Sequence, residues 1–234
     1  MEKTKNMRSS LVFSFAWIAY CLAVIIPNPG SRTVTSFLGL VIGSVFMWLT
    51  AWGLLALIGR VRASLKMLIP LGILLLAADL ITKQFVFHYL ANGTVITLVP
   101  GWLSINFAPN YSNNVFLNLL NIVVESNLFH AVSKLLIFAV VGVLLYLLCR
   151  KEKYDVKDPR FLWAVMFVSA GALSSIIESF YRGYVLDFIS FASLVSFDIK
   201  DLCIMYGMGL FIIVVYHWEK DAKQKKKLTD APPQ

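Results

Sequence analysis

Six acidic residues, Asp79, Glu125, Glu178, Asp187, Asp198 and Asp201, stand in or beside long apolar runs. A carboxylate in such surroundings is costly unless it faces other protein, water or a counter-charge, so each is a candidate functional group. Asp187 lies in Tyr184-Val185-Leu186-Asp187-Phe188 and Asp201 opens the last apolar run, so a fold-back between them brings two carboxylates to one depth. Two acids in one low-dielectric pocket titrate apart, one staying protonated and one ionised, which is the state that activates water against a peptide bond. Plainer readings stand beside this one. Asp201 is well placed to cap a helix N-terminus, Asp187 to be solvated, and Asp79 with Lys83 to form an i, i+4 ion pair on one helix face.

The elements that hold these residues are apolar. Of 234 residues, 59% are hydrophobic, and the mean hydropathy is +0.74. Soluble domains hold about 45–50% apolar residues, so the excess implies lipid around the chain. Apolar runs at 10–27, 35–58, 67–90, 128–149, 160–178 and 201–218 each approach the ~20 residues that cross a bilayer. The expected fold is therefore a mainly α polytopic membrane protein of about six transmembrane helices. The net charge of +8 comes from 21 Lys and Arg against 13 Asp and Glu. Most of the cations lie between the apolar runs, which excludes a basic nucleic-acid patch with interleaved aromatics. Three occur in the N-terminal tail, three at Arg60, Arg62 and Lys66, five in residues 150–160 and five in 220–227. Arg32, Lys83, Lys134, Arg182 and Lys200 fall on the opposite side. That asymmetry predicts both termini in the cytoplasm, and the acidic residues then cluster toward the outer half.

Between the runs, Pro27-Asn28-Pro29-Gly30 breaks the first hairpin. Residues 91–127 carry Asn92-Gly93, Pro100-Gly101 and the polar run Asn110-Tyr111-Ser112-Asn113-Asn114. Thr94 to Phe107 alternates weakly and is rich in β-branched and aromatic residues, which predicts a small outer-face β-sheet. Ser179 to Ser196, with Phe180, Tyr181, Tyr184, Phe188 and Phe191, suits an interfacial segment. Gly39 and Gly43 give the second run a close-packing face. Cys21, Cys149 and Cys203 have neither redox nor metal-ligand spacing, and no metal or cofactor is expected.

Several outer segments, in order, resemble one family. Asp79-Leu80-Ile81-Thr82-Lys83 is similar to the Asp-x-x-Thr-Lys motif of the lipoprotein signal peptidase (signal peptidase II) family. Val99-Pro100-Gly101-Trp102-Leu103-Ser104 is similar to the lead into its asparagine motif, with Asn110 as that asparagine. Gly171-Ala172-Leu173 with Gly183-Tyr184-Val185-Leu186-Asp187-Phe188 resembles the third motif, and Phe197-Asp198-Ile199-Lys200-Asp201 resembles Phe-Asn-x-Ala-Asp. The resemblance spans about residues 67–220 and implies a four-helix core with a small sheet, and Asp187 and Asp201 as an aspartyl protease pair. Asp79, Lys83, Asn110, Ser175, Glu178, Arg182 and Asp198 are the expected supporting or substrate-binding residues. The pattern departs from the family at several points. Ser174-Ser175-Ile176-Ile177-Glu178-Ser179 replaces Gly-Asn-x-x-Asp-Arg, and Asp198 and Lys200 replace asparagine and alanine.

The implied division is a two-helix extension over 1–66, a membrane core over 67–220 and a basic cytoplasmic tail over 221–234. The implied activity is cleavage of the signal peptide from a lipid-modified precursor at the outer face of the bacterial cytoplasmic membrane, with membrane lipid as surroundings. Residues 10–58 offer a face for a partner or a second copy, and nucleic acid is not expected. Two other readings stay open: a catalytically altered homologue that binds lipoproteins, lipids or a membrane partner, and an ion-coupled carrier using Asp79, Glu178, Asp187 and Asp201.

Overall fold

A computed structural model describes residues 2–26, 30, 33–61, 63–110, 126–151, 155–192 and 194–229. Of the features singled out in the sequence, the break at Pro27-Asn28-Pro29, Arg32, Arg62, Lys153, the polar run after Asn110 and Glu125 lie outside them.

Each long apolar run forms a helix. Helices α1 (Glu2–Ser9) and α2 (Leu11–Ile25) are followed by α3 (Val34–Ile58) and α4 (Leu65–Leu90). Strands β1 (Ile96–Val99) and β2 (Leu103–Asn110) come next, then α5 (Asn127–Lys151) and α6 (Pro159–Arg182). Strands β3 (Val185–Phe191) and β4 (Val195–Phe197) lead into α7 (Ile199–Thr229). Among the described residues five helices are long and apolar enough to cross a membrane: α3, α4, α5, α6 and the Ile199–Asp221 part of α7. The chain is a polytopic membrane protein. The first expected crossing is shorter than the rest, because α2 holds 15 residues and at 1.5 Å per residue falls short of a hydrocarbon core of about 30 Å.

Local chemistry sets the helix ends. Thr33 Oγ1 accepts from Ser36 N–H at the start of α3. Asp158 Oδ1 accepts from Arg160 N–H at the start of α6, with Pro159 in the first turn. Both are favoured N-terminal arrangements. The residues after Asp221, expected as a solvated tail, continue α7 to Thr229.

The sheet is larger than the sequence suggested. Its order is β1-β2-β3-β4, all antiparallel. The segment expected to lie along the interface ends α6 and then supplies β3 and β4. Val185-Leu186-Asp187-Phe188-Ile189 is rich in β-branched and aromatic residues, and in a strand its successive side chains point to opposite faces. Leu186 and Phe188 pack with Val86 and Leu90 of α4, so the pleat of the strand sends Asp187 to the other face.

The first two apolar helices brace this sheet. Trp17 of α2 packs edge-on against Phe191 and Phe197, with ring centroids 6.0 and 6.1 Å away. Gly39 of α3 faces Ala192 at the β3–β4 turn, and Gly43 faces the Trp17 indole, so a side chain at either position would collide. The inner sides of α2 and α3, including Phe13, Trp17, Met47 and Leu55, are buried in the main core. Their outer sides, including Phe15, Phe37, Val41 and Phe46, are exposed and apolar, as lipid contact requires.

Candidate active site

Three elements converge on one buried ionic cluster: α4, the end of α6, and the β3–β4–α7 segment. Asp79 and Lys83, one helical turn apart, do form the i, i+4 pair, at 2.9 Å. Lys83 Nζ also lies 2.6 Å from Glu178 Oε2 and 2.6 Å from Asp198 Oδ2. Its side chain is fully buried, and three carboxylates compensate the desolvation of one ammonium.

Asp79 serves as an anchor as well as a partner. Its Oδ1 accepts from the Lys200 N–H at 3.1 Å, and its Oδ2 accepts from the Ser174 hydroxyl. Glu178 likewise has several attachments. Besides Lys83, its Oε1 accepts from the Leu186 N–H at 2.8 Å and lies 3.3 Å from Arg182 Nη1. The bond to Leu186 fastens the backbone next to Asp187. Between these residues Gly183 turns the chain with φ +75°, its N–H donating to Ser179 C=O. A left-handed helix terminus of this kind favours glycine.

The start of α7 is a reciprocal cap. Asp198 Oδ1 accepts from Asp201 N–H at 2.9 Å, and Asp201 Oδ2 accepts from Asp198 N–H at 3.3 Å. This is the capping-box geometry with aspartate at both positions. Asp201 thus has the capping role, and it also meets Asp187: single carboxylate oxygens of Asp187, Asp198 and Asp201 lie within 4.8 Å of one another. Asn110, at the end of β2, donates to Asp187 Oδ2 at 3.3 Å.

The cation among these three acids is a lysine. Lys200 Nζ is 2.5 Å from Asp198 Oδ2, 3.1 Å from Asp201 Oδ1 and 3.5 Å from Asp187 Oδ1. Burial pushes the Asp187 carboxyl above the usual carboxylate range; the Lys200 ammonium opposes that and the Asp198 charge adds to it. Burial works to raise Asp198 as well, but Lys200 and Lys83 hold it below the ordinary range.

The remaining expected residues sit at different distances from this centre. Arg182 binds Glu178 and, through Nη2, Gln84 Oε1 at 2.9 Å. Its guanidinium lies over the Phe87 ring, so it stabilises the α4–α6 junction and not the Asp187–Asp201 pair. Ser175 is half-buried on α6, whereas its neighbour Ser174 carries the hydroxyl that reaches Asp79. Ser174, Lys200 and Lys134, which donates to Ser179 Oγ at 2.6 Å, were absent from the expected set. Lys200 had one signal in the sequence, a charged residue where the resembled motif carries alanine. A cavity of about 250 Å³ adjoins the site between α2 and α7, lined by residues including Trp17, Tyr20, Phe197, Asp201 and Met205.

The family described as Signal peptidase (SPase) II matches residues 71–217. The chain belongs to the signal peptidase II family. Among curated relatives, a lipoprotein signal peptidase of Symbiobacterium thermophilum is 29% identical over 149 residues, 62% of this chain and 91% of that protein. A lipoprotein signal peptidase of Fusobacterium nucleatum is 23% identical over 159 residues, 67% of this chain and 89% of that one. Two solved structures share the fold, both described as a bacterial membrane enzyme determined by the in meso method. One has a TM-score of 0.52 at 19% identity over 66% of this chain and 95% of that chain. The other has a TM-score of 0.50 at 19% identity over 74% and 96%. Signal peptidase II is a protease family of lipoprotein processing, and the match takes in every member of the ionic cluster. It leaves α1, α2 and α3 outside, and of these α2 and α3 brace the β3–β4 hairpin.

Proposed function

We propose that this chain is an intramembrane aspartyl endopeptidase that removes the signal peptide from lipid-modified precursors, with Asp187 and Asp201 as its catalytic pair. The observation that carries the reading is the approach of these two carboxylates to within 4.8 Å, on a sheet-and-helix frame tied down by Asn110, Asp198 and Glu178. The ionised member of the pair takes a proton from a water, whose oxygen attacks the peptide carbonyl carbon. The protonated member gives its proton to the carbonyl oxygen. Collapse of the tetrahedral species returns that proton to the pair and breaks the C–N bond, the departing nitrogen taking the proton drawn from water.

The family resemblance supplies the substrate, a precursor whose scissile bond precedes a diacylglyceryl cysteine. The cavity beside Asp201 and the exposed apolar helix faces suit its acyl chains. The Lys/Arg distribution supports both termini in the cytoplasm of a bacterial inner-membrane protein, which puts the pair toward the outer face. In this reading residues 67–220 are the peptidase core, 1–66 an extension that steadies the hairpin carrying Asp187, and 221–234 the cytoplasmic end.

One observation favours a second reading. Lys200 offers its ammonium to both members of the pair, as in a homologue that binds lipoproteins without cutting them. Offering the purified chain a diacylglyceryl-modified precursor and its unmodified counterpart separates the two. The peptidase reading predicts a shortened product from the modified form only. Retention of the modified precursor with no product supports the binding reading.

A further inference from the structure

The charges around the Asp187–Asp201 pair form a nearly balanced set. Five carboxylates, those of Asp79, Glu178, Asp187, Asp198 and Asp201, face four cations among the described residues: Lys83, Lys134, Lys200 and Arg182. The set is neutral when the five acids hold one proton among them. In a site this buried, departures from neutrality are strongly resisted. The proton belongs where the acid is least well paired. Asp79 and Glu178 each have Lys83 and further donors, and Asp198 has both Lys83 and Lys200. Of the pair, Asp201 has Lys200 at 3.1 Å and the Asp198 N–H at 3.3 Å, so Asp187, with Lys200 at 3.5 Å and the neutral Asn110 amide at 3.3 Å, is the less well served.

We propose that Lys200 is a positioning residue that sets the proton count of the Asp187–Asp201 pair and moves the pH window of single protonation toward acid. The inference rests on the proposed peptidase reading for its kinetic consequence, but not for its electrostatic one. Lys200 is held in place independently of its side chain, because its backbone N–H is bonded to Asp79 Oδ1 at 3.1 Å and Asp79 is itself paired with Lys83. The titratable groups around Lys200 are Asp187 from β3, Asp198 before α7, Asp201 from α7 itself, Asp79 and Lys83 from α4, Lys134 from α5, Glu178 from α6 and the Tyr20 phenol from α2. Of the cations, Lys200 is the one in contact with both members of the pair. Its removal leaves one uncompensated negative charge, and a second proton restores neutrality. The singly protonated state is then reached only at higher pH.

The test is an infrared titration of the full-length protein in detergent, following the protonated-carboxyl band that Asp187→Asn abolishes. Lys200→Gln, which keeps hydrogen-bond donors but removes the charge, moves the band's midpoint up by about 1–2 pH units. Lys200→Arg leaves it near the wild-type position. Asp198→Asn, which removes a negative neighbour, moves it down. The pH profile of precursor cleavage shifts in the same directions. An unmoved midpoint in both Lys200→Gln and Asp198→Asn overturns the assignment, as does a downward shift in Lys200→Gln. An infrared shift in a protein that cuts no precursor sinks the peptidase reading and leaves the role of Lys200 standing.

Discussion

Lys83 Nζ lies 2.6 Å from Asp198 Oδ2, and the other oxygen of that carboxylate caps α7 by accepting the Asp201 N–H. One lysine in the third membrane-crossing run of the sequence therefore holds the helix start on which Asp201 sits. Lys83→Met leaves Asp79, Glu178 and Asp198 without their shared cation. Breaking a buried pair from one side costs about 3–5 kcal/mol, so the melting temperature in detergent should fall well below that of an outward-face substitution such as Phe37→Ala. An unchanged melt would contradict the placement of Lys83 at the hub.

Acid stability should depend on Asp198. Its carboxyl is held below the ordinary range in the folded chain, so it binds protons less readily folded than unfolded. The stabilisation it gives is present above the unfolded-state value and is lost as pH falls through the folded-state value. Wild-type melting temperature should therefore drop between about pH 4 and the lower folded-state value, and Asp198→Asn should be less stable at neutral pH but flatter over that interval. A wild-type curve and an Asn curve that run parallel would count against this.

At Gly183, φ is +75° and an added Cβ would run into the Asn127 amide. Gly183→Ala meets both the left-handed penalty, about 1 kcal/mol, and the collision. Because this turn aims β3, precursor cleavage should fall by more than the loss of stability accounts for. Equal small effects on both would show that the turn does not set the position of Asp187.

On the α2–α3 side, Gly43→Val drives a side chain into the Trp17 indole. Overpacking of this kind costs about 1–3 kcal/mol, and Trp17 is the ring that meets Phe191 and Phe197. Intrinsic tryptophan fluorescence and melting together should report a displaced, less stable α2. A neutral outcome would mean that α2 is not docked on the hairpin.

Much of this architecture was legible in the chain. Long apolar runs located the helices because membrane crossing demands length and composition, properties local to a segment. The length of α2 was less plain, since its run extends over Pro27, which helical propensity disfavours. Strand β3 was obscured because its aromatics, Phe188 and Phe191, suit an interface and a sheet face equally well. At the site, the outer clustering of acids and the resemblance at Asp187 and Asp201 pointed to the region where the fold gathers Asp187, Asp198 and Asp201. Partner choice was not readable: Ser174 and Asp79 are 95 positions apart, and Arg182 pairs with Glu178 and Gln84 because of how α4 and α6 pack. Lys200 looked like a departure from a motif until its ammonium was seen among three carboxylates.

The most direct test of the Asp187–Asp201 pair is a cleavage assay on a diacylglyceryl-modified precursor with three purified proteins, wild type, Asp187→Asn and Asp201→Asn, each checked for folding by its melt. The account predicts a shortened product from wild type, and loss of turnover by at least about 10³-fold in both variants, the scale on which catalytic groups matter. Either variant cutting at the wild-type rate while folded would contradict it.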